Sequence, residues 1–186
     1  TLDDVIDFSS QYAIVLKPLR EYGGKGVIKV IGNKVYDGNI EHDRDTYLKS
    51  IEKNITTDGY IGMKYLKNVS QGDKRILVVG GEIMATSLRL PAEGSWLCNV
   101  SQGGSSVAVD ITSEELEIIK SISPQLINEG ILIYGADTLV DDDGKRVLSE
   151  INTLSIGGFP QAQKHSGKPI IKKTIDKILE YADDNG

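Results

Sequence analysis

The sequence predicts an α+β fold, and three observations predict it. Apolar runs are joined by glycine- and aspartate-rich turns, at Gly23-Gly24-Lys25-Gly26, Gly80-Gly81 and Asp141-Asp142-Asp143-Gly144, which is the signature of antiparallel hairpins. Helical periodicity is confined to separate segments at residues 43–54, 112–130 and 168–182. The length, 186 residues with 39% hydrophobic and 26% charged, supplies a core for one globular domain or two small subdomains.

The elements follow in order. Residues 2–8 read as the tail of a helix and 9–11 as a loop. Residues 12–16 are an apolar strand that delivers Lys17 and is ended by Pro18. Strands at 27–31 and 34–36 follow the glycine loop. That loop is either a hairpin turn, since glycine takes positive φ cheaply, or a phosphate flap whose unhindered N–H groups close on an anion, helped by Lys25 and Lys17.

Asp43 is a helix N-cap, with Tyr47, Leu48 and Ile51 on one face. Residues 60–66 are a strand and 67–72 a polar loop. The strand 76–79 turns at Gly80-Gly81 and returns antiparallel over 82–90. This hairpin carries Arg75 and Arg89, either snorkelling surface arginines or guanidinium clamps for carboxylate or phosphate. Residues 91–106 read as a long irregular loop of the kind often used as a lid. Thr112 with Glu115 three residues on is a capping box. Pro124 is placed to kink the helix it starts, and Gly130 ends it. The last helix, with Pro169 in its first turn, shows Ile171, Ile175, Ile178 and Leu179 as its inner face, and residues 183–186 read as a frayed tail.

The stretch 133–158 concentrates the chemistry. A hairpin folded at Asp141-Asp142-Asp143-Gly144 sets Asp137 opposite Glu150 and Asn152. The last two share one face and Ile151 takes the other. Two carboxylates and an amide oxygen make a hard-cation site suited to Mg²⁺ carrying phosphates. The bland alternative is a surface hairpin with solvated acids.

Composition excludes several classes. A net charge of −6 with no long basic run argues against nucleic acid as the main partner. No apolar run approaches a membrane span and no signal peptide is visible, so no membrane partner is expected. The single cysteine, Cys98, permits no intrachain disulfide, which favours a reducing cytosol. The two histidines, His42 and His165, lie far from Cys98 in sequence, so the thiol reads as packing rather than a nucleophile. There is no Walker-type Gly-Lys-Ser/Thr motif, and the acidic turn has Lys145 at the fifth position of a calcium loop.

Lys17, a glycine flap and an Asp…Glu-x-Asn hairpin together describe an Mg-ATP site that is not a P-loop. In this order they resemble the ATP-grasp superfamily, and within it the prokaryotic-type glutathione synthetase. The matching pieces are Val15-Leu16-Lys17-Pro18-Leu19, the flap, Lys64-Tyr65-Leu66, Gly72-Asp73-Lys74-Arg75-Ile76-Leu77-Val78-Val79, Leu88-Arg89-Leu90-Pro91, Asn99 with Gly103-Gly104, Gly135-Ala136-Asp137 and Glu150-Ile151-Asn152.

The resemblance implies two α+β subdomains clasping nucleotide between antiparallel sheets, about 11–66 as a small lid and 67–186 as a C-terminal subdomain within an ATP-grasp domain 1–186. It implies ATP as cosubstrate and Mg²⁺, or Mn²⁺, as metal. Lys17 resembles the lysine on the phosphates, Gly23, Gly24, Lys25 and Gly26 the flap, Lys64, Tyr65 and Leu66 the hinge whose backbone reads adenine, and Asp73 an acid near the ribose. Asp137, Glu150 and Asn152 resemble the metal ligands, and Arg75 and Arg89 the catalytic arginines. Asn99, Gly103, Gly104, Ser155 and Gly157 fall on the substrate side.

The implied reaction joins a carboxylate to an amine through an acyl phosphate. In glutathione synthetase the acid is γ-glutamylcysteine and the amine glycine, and a homo-oligomeric full-length enzyme is implied. The chain departs from the family pattern at Leu97, where arginine is usual, at Ile156-Gly157, where Ser155 is followed by no proline, and at Met63 in the hinge. The start at Thr1 and the lack of the family's N-terminal domain, with its own ATP-contacting lysine, suggest a portion of a longer enzyme. Two other readings stay open: an ATP-grasp ligase for another acid, of the glutamate-adding type, and a nucleotide-binding module without activity of its own.

Overall fold

The computed structural model describes every residue except 22, 94–95, 99–103, 155 and 186. The chain divides into two compact units, Thr1–Lys67 with Pro91–Gly104, and Asn68–Leu90 with Ser105–Gly186.

In the first unit, α1 (Leu2–Gln11) begins at a capping box between Thr1 and Asp4. The loop expected at 9–11 is helical instead. The Ser9 and Ser10 hydroxyls donate back to the Ile6 and Asp7 carbonyls, so these serines bond to the helix rather than end it. An antiparallel sheet follows, from β1 (Ile14–Pro18), β2 (Ile28–Ile31), β3 (Lys34–Asp37), β4 (Ile40–Asp43) and β5 (Tyr60–Lys64), in the order β4-β3-β2-β1-β5. Strand β4 was not predicted, being a short, mostly exposed edge strand without apolar alternation. Asp43 caps α2 (Arg44–Ser50) by accepting from the Thr46 amide. The predicted helix over 43–54 breaks at Ile51, after which α3 (Glu52–Thr57) begins.

Ile14, Leu16, Ile28, Val30, Val35 and Leu48 form the core on one face of this sheet, with Phe8 and Tyr47 packed against it. Strand alternation therefore turns Val15, Lys17 and Lys29 to the other face.

The second unit is a five-stranded antiparallel sheet of β6 (Asp73–Val79), β7 (Glu82–Leu90), β8 (Ser105–Ala108), β9 (Ile133–Val140) and β10 (Arg146–Asn152), ordered β10-β9-β6-β7-β8. Strand β8 was not predicted, and its first two residues fall in the loop expected over 91–106. On one face α4 (Ser113–Asn128) packs Ile119 on Ile76, Val78, Tyr134 and Ala136. Helix α4 runs unbroken past Pro124. On the other face α5 (Phe159–Ser166) and α6 (Ile170–Asn185) bring Ala162 and Ile170 to Leu77, Val79 and Met84. Helix α5 was not predicted, and its amphipathic pattern is weak (Phe-Pro-Gln-Ala-Gln-Lys-His-Ser).

The inner face of α6 is a correction. Ile170 and Thr174 are the buried residues and Ile178, of the predicted face, is half-buried, whereas Ile171, Ile175 and Leu179 are 37%, 50% and 58% exposed. Asp183, Asp184 and Asn185 continue the helix rather than fray. No helix among the described residues is long and apolar enough to cross a membrane.

Candidate active site

In the second unit the β6–β9 register sets Arg75 directly opposite Asp137, and the β6–β7 register sets Asp73 opposite Arg89. Asp137 is only 5% exposed. Its carboxylate accepts from Arg75 Nε and, at 2.7 Å, from Arg75 Nη2. Arg89 Nη2 lies 2.9 Å from the same carboxylate. Arg89 also makes a forked pair with Asp73, at 2.7 Å through Nε and 2.6 Å through Nη2. Two acids and two guanidiniums thus neutralise one another in a half-buried cluster, the geometry that gives charge-assisted bonds their strength.

Burial pushes the Asp73 carboxyl up from its ordinary value, and Arg89 only partly offsets this. For Arg89 burial works against the charge, yet Asp73 and Asp137 hold its pKa above normal. Glycines shape the cluster. A Cβ on Gly135 would stand 3.0 Å from Arg75 Cδ, so the missing side chain is the room the arginine crosses. A Cβ on Gly72, whose φ is +84°, would meet the Arg89 carbonyl oxygen at 2.5 Å.

The β9–β10 hairpin folds as its turn demands. Asp141 Oδ1 accepts from the amides of Asp143 and Lys145, and Gly144 takes φ +84°. Glu150 sits opposite Asp137, with a bulge between Leu148 and Glu150 that realigns the strand. Asn152 Nδ2 donates to Asp137 Oδ2 at 3.3 Å. Ile151 faces the α4 core, so Glu150 and Asn152 share the face of Asp137. Two carboxylates and an amide are a fitting donor set for a hard divalent cation. Among the described residues no three His, Cys, Asp or Glu side chains cluster as a metal site.

In the first unit Lys17 closes β1 on the face away from the core. Gly23, Gly24 and Gly26 all have positive φ, at 67°, 80° and 67°, and a Cβ on Gly26 would press on Pro18 Cγ at 2.9 Å. The glycine loop, including Lys25, therefore joins β1 and β2 as the predicted hairpin. Lys64 ends β5, the Tyr65 amide donates to the Ala13 carbonyl at 2.8 Å, and Leu66 is half-buried. Gly104 is described just before β8, and Gly157 is exposed on the approach to α5. Asn99, Gly103 and Ser155 lie outside the described residues.

Sequence reasoning missed an aromatic box in this unit. Lys29 Nζ lies 4.8, 5.1 and 5.2 Å from the ring centroids of Tyr36, Tyr65 and Trp96, and burial lowers its pKa. Trp96 Nε1 donates to the Gly38 carbonyl at 3.3 Å. Only the β-strand alternation of Lys29 with core residues could have signalled its face. Cys98 is buried, as expected of a packing thiol.

Two antiparallel α+β units, one bearing a glycine hairpin and the other an Asp…Glu-x-Asn hairpin beside paired arginines, have the ATP-grasp architecture. The D-alanine–D-alanine ligase of Bacillus anthracis, solved in complex with ATP, has the same fold, with a TM-score of 0.61 at 17% identity over 98% of this chain and 57% of that one. The chain belongs to the family described as prokaryotic glutathione synthetase, ATP-grasp domain, whose profile matches residues 2–167. It is similar to the glutathione synthetase of Neisseria meningitidis serogroup A (29% identical, covering 96% of this chain and 53% of the relative). It is also similar to that of Prochlorococcus marinus subsp. pastoris (30% identical, covering 95% and 54%). The chain thus spans about half the length of these curated relatives.

Proposed function

We propose that the chain is the ATP-grasp domain, residues 1–186, of an ATP-dependent carboxylate–amine ligase, most specifically a glutathione synthetase acting on γ-glutamylcysteine and glycine. Residues 11–66 serve as its lid subdomain and 67–186 as its C-terminal subdomain. The observation that carries the reading is the Asp73–Arg89–Asp137–Arg75 cluster beside Glu150 and Asn152. An anion-handling pair of arginines and a hard-cation donor set share one sheet face, as transfer of a phosphoryl group requires.

In this reading Asp137, Glu150 and Asn152 hold Mg²⁺, or Mn²⁺, which when bound supplies charge neutralisation for the phosphates. Arg75 and Arg89 are cations already desolvated and oriented, and they steady the phosphoryl group as it moves. Lys17, Lys25 and the amides of Gly23, Gly24 and Gly26 contact phosphates. The backbone of Lys64, Tyr65 and Leu66 takes the base, and Asp73 lies toward the ribose. Asn99, Gly103, Gly104, Ser155 and Gly157 line the acceptor side. A carboxylate oxygen of the acid attacks the γ-phosphorus of ATP and ADP leaves. The amine nitrogen then attacks the acyl carbon, the C–O bond to phosphate breaks, and an amide and inorganic phosphate result.

Incubating the protein with ATP, Mg²⁺, γ-glutamylcysteine and glycine is expected to yield ADP, phosphate and glutathione in equal amounts. Turnover only with a different acid would replace the substrate assignment. Calorimetry with Mg-ATP separates this from a binding module, which would bind without product, and absence of binding would sink both. The reading also carries a cytoplasmic location and a homo-oligomeric enzyme, the latter checked by light scattering.

A further inference from the structure

Glu115 is the capping-box partner of Thr112 that the sequence predicts. The structure puts it at 0% exposure between α4 and the sheet of β6 to β10. It keeps the cap, with its Oε2 accepting from the Thr112 amide at 2.9 Å and its own amide donating to Thr112 Oγ1. The same carboxylate also accepts from Lys74 Nζ at 2.8 Å and from Thr138 Oγ1 at 2.7 Å. Lys74 Nζ additionally donates to the Asp110 carbonyl at 3.0 Å. Arg146 Nε lies 3.9 Å from Glu115, and Arg146 Nη1 donates to the Gly72 and Thr138 carbonyls at 3.1 Å. One carboxylate therefore ties α4 to β6, β9 and β10.

The register gives this cluster its meaning. Lys74 is paired with Thr138, and the next rung of the same ladder is Arg75 with Asp137. Alternation sends the first pair to the α4 face and the second to the opposite face. A one-residue slip of β6 against β9 would swap those faces. Glu115 recognises only one register, because Lys74 and Thr138 must reach its two oxygens together.

Stability alone is a poor explanation for such a pair. Removing an ion pair from a core and replacing it by apolar side chains is commonly neutral or stabilising, and the neighbours here are Ile76, Ile119, Tyr134 and Ala136. What apolar packing lacks is direction. We propose that Glu115 is a positioning residue that, from the far face of the sheet, locks the Lys74–Thr138 rung and thereby the adjacent Arg75–Asp137 rung of the metal and phosphate site. The catalytic half of this statement rests on the ligase reading, while the structural half does not.

The test compares the protein with its Lys74→Met/Glu115→Leu double variant, which removes both members of the buried pair, and with Glu115→Gln, which keeps the shape. Amide hydrogen exchange is read at residues 74 and 138, the rung beside Arg75–Asp137 whose amides the register turns into the β6–β9 ladder, with 78 and 134 on the same ladder as internal controls. Binding of Mn²⁺ in the presence of nucleotide is read by electron paramagnetic resonance. The expected result is a double variant that melts within a few degrees of the parent, exchanges about tenfold faster at 74 and 138 but not at 78 and 134, and binds Mn²⁺ about tenfold more weakly.

Parental exchange at 74 and 138 in either folded variant overturns the proposal, and so does parental Mn²⁺ affinity where the parent binds the ion. A parent that binds no Mn²⁺ defeats the metal assignment, and the exchange rates then decide the positioning role by themselves.

Discussion

Arg75 and Asp137 stand directly opposite each other across the β6–β9 ladder, and the guanidinium grips the carboxylate through two nitrogens, the outer contact 2.7 Å long. The proposed metal ligand is thus already charge-balanced by the arginines proposed for catalysis, and variants at the two carboxylates should behave differently.

Asp137→Asn removes the carboxylate that Arg75 grips and that Arg89 shares with Asp73, both arginines being largely buried. It is expected to lower stability by about 2 kcal/mol as well as to abolish metal-dependent nucleotide binding. Glu150 has an exposed side chain, so Glu150→Gln is expected to remove the same binding at a cost below about 0.5 kcal/mol. Urea unfolding and calorimetry measure the two effects. Loss of binding without loss of stability at Glu150 is the result that separates a functional acid from a solvated one.

Gly135→Ala places a methyl group 3.0 Å from Arg75 Cδ and 3.2 Å from Ile156 Cγ2. Overpacking of this kind costs about 1–3 kcal/mol, and Arg75 is the neighbour able to yield. Nucleotide affinity should fall with stability. Gly157→Ala meets nothing within 4 Å and should leave the melting temperature unchanged, which makes it the control for backbone effects of alanine.

Acid titration should report Glu115. Burial raises its carboxyl, but Lys74, the Thr112 amide and Thr138 overcome that and hold the pKa below the ordinary 4.5. A carboxyl depressed on folding adds stability above its unfolded pKa and loses it as pH falls through the folded value. Below pH 4.5 the parent should therefore lose stability more steeply than the Lys74→Met/Glu115→Leu variant. Parallel curves in denaturant titrations at several acid pH values would contradict this.

Trp96 is the single tryptophan, so its emission reports the Lys29 box alone. Lys29→Met should change the emission maximum and cost about 1 kcal/mol. Because Tyr65 belongs to both the box and the proposed adenine hinge, Mg-ATP should alter the signal in the parent. An unaltered spectrum at saturating nucleotide would separate the box from the base.

The sequence carried much of this in local signals. The turns at Gly80-Gly81 and Asp141-Asp142-Asp143-Gly144 and the facing of Asp137 with Glu150 follow from turn chemistry and a period of two, which neighbours along the chain determine. What stayed hidden depends on distant partners. Glu115 carries a correct capping signal, but its burial is decided by Lys74 and Thr138, 41 and 23 positions away. Helix α6 offered two overlapping apolar stripes. The sequence pointed to the face rich in isoleucine and leucine, yet packing against α5 and the sheet buried Ile170, and Thr174 one turn on is buried with it. Strands β4 and β8 are mostly exposed edge strands, so no buried alternation sets them apart from the surrounding loops.

The Lys74–Glu115 pair also shapes how this chain can vary. Losing either partner alone leaves the other's charge buried without it, while losing both together removes the pair as a whole. Single-step substitution at either position is therefore a valley, and a library randomised at 74 and 115 should return matched combinations only. The two sites would travel through sequence change as one unit, carrying the Arg75–Asp137 geometry with them.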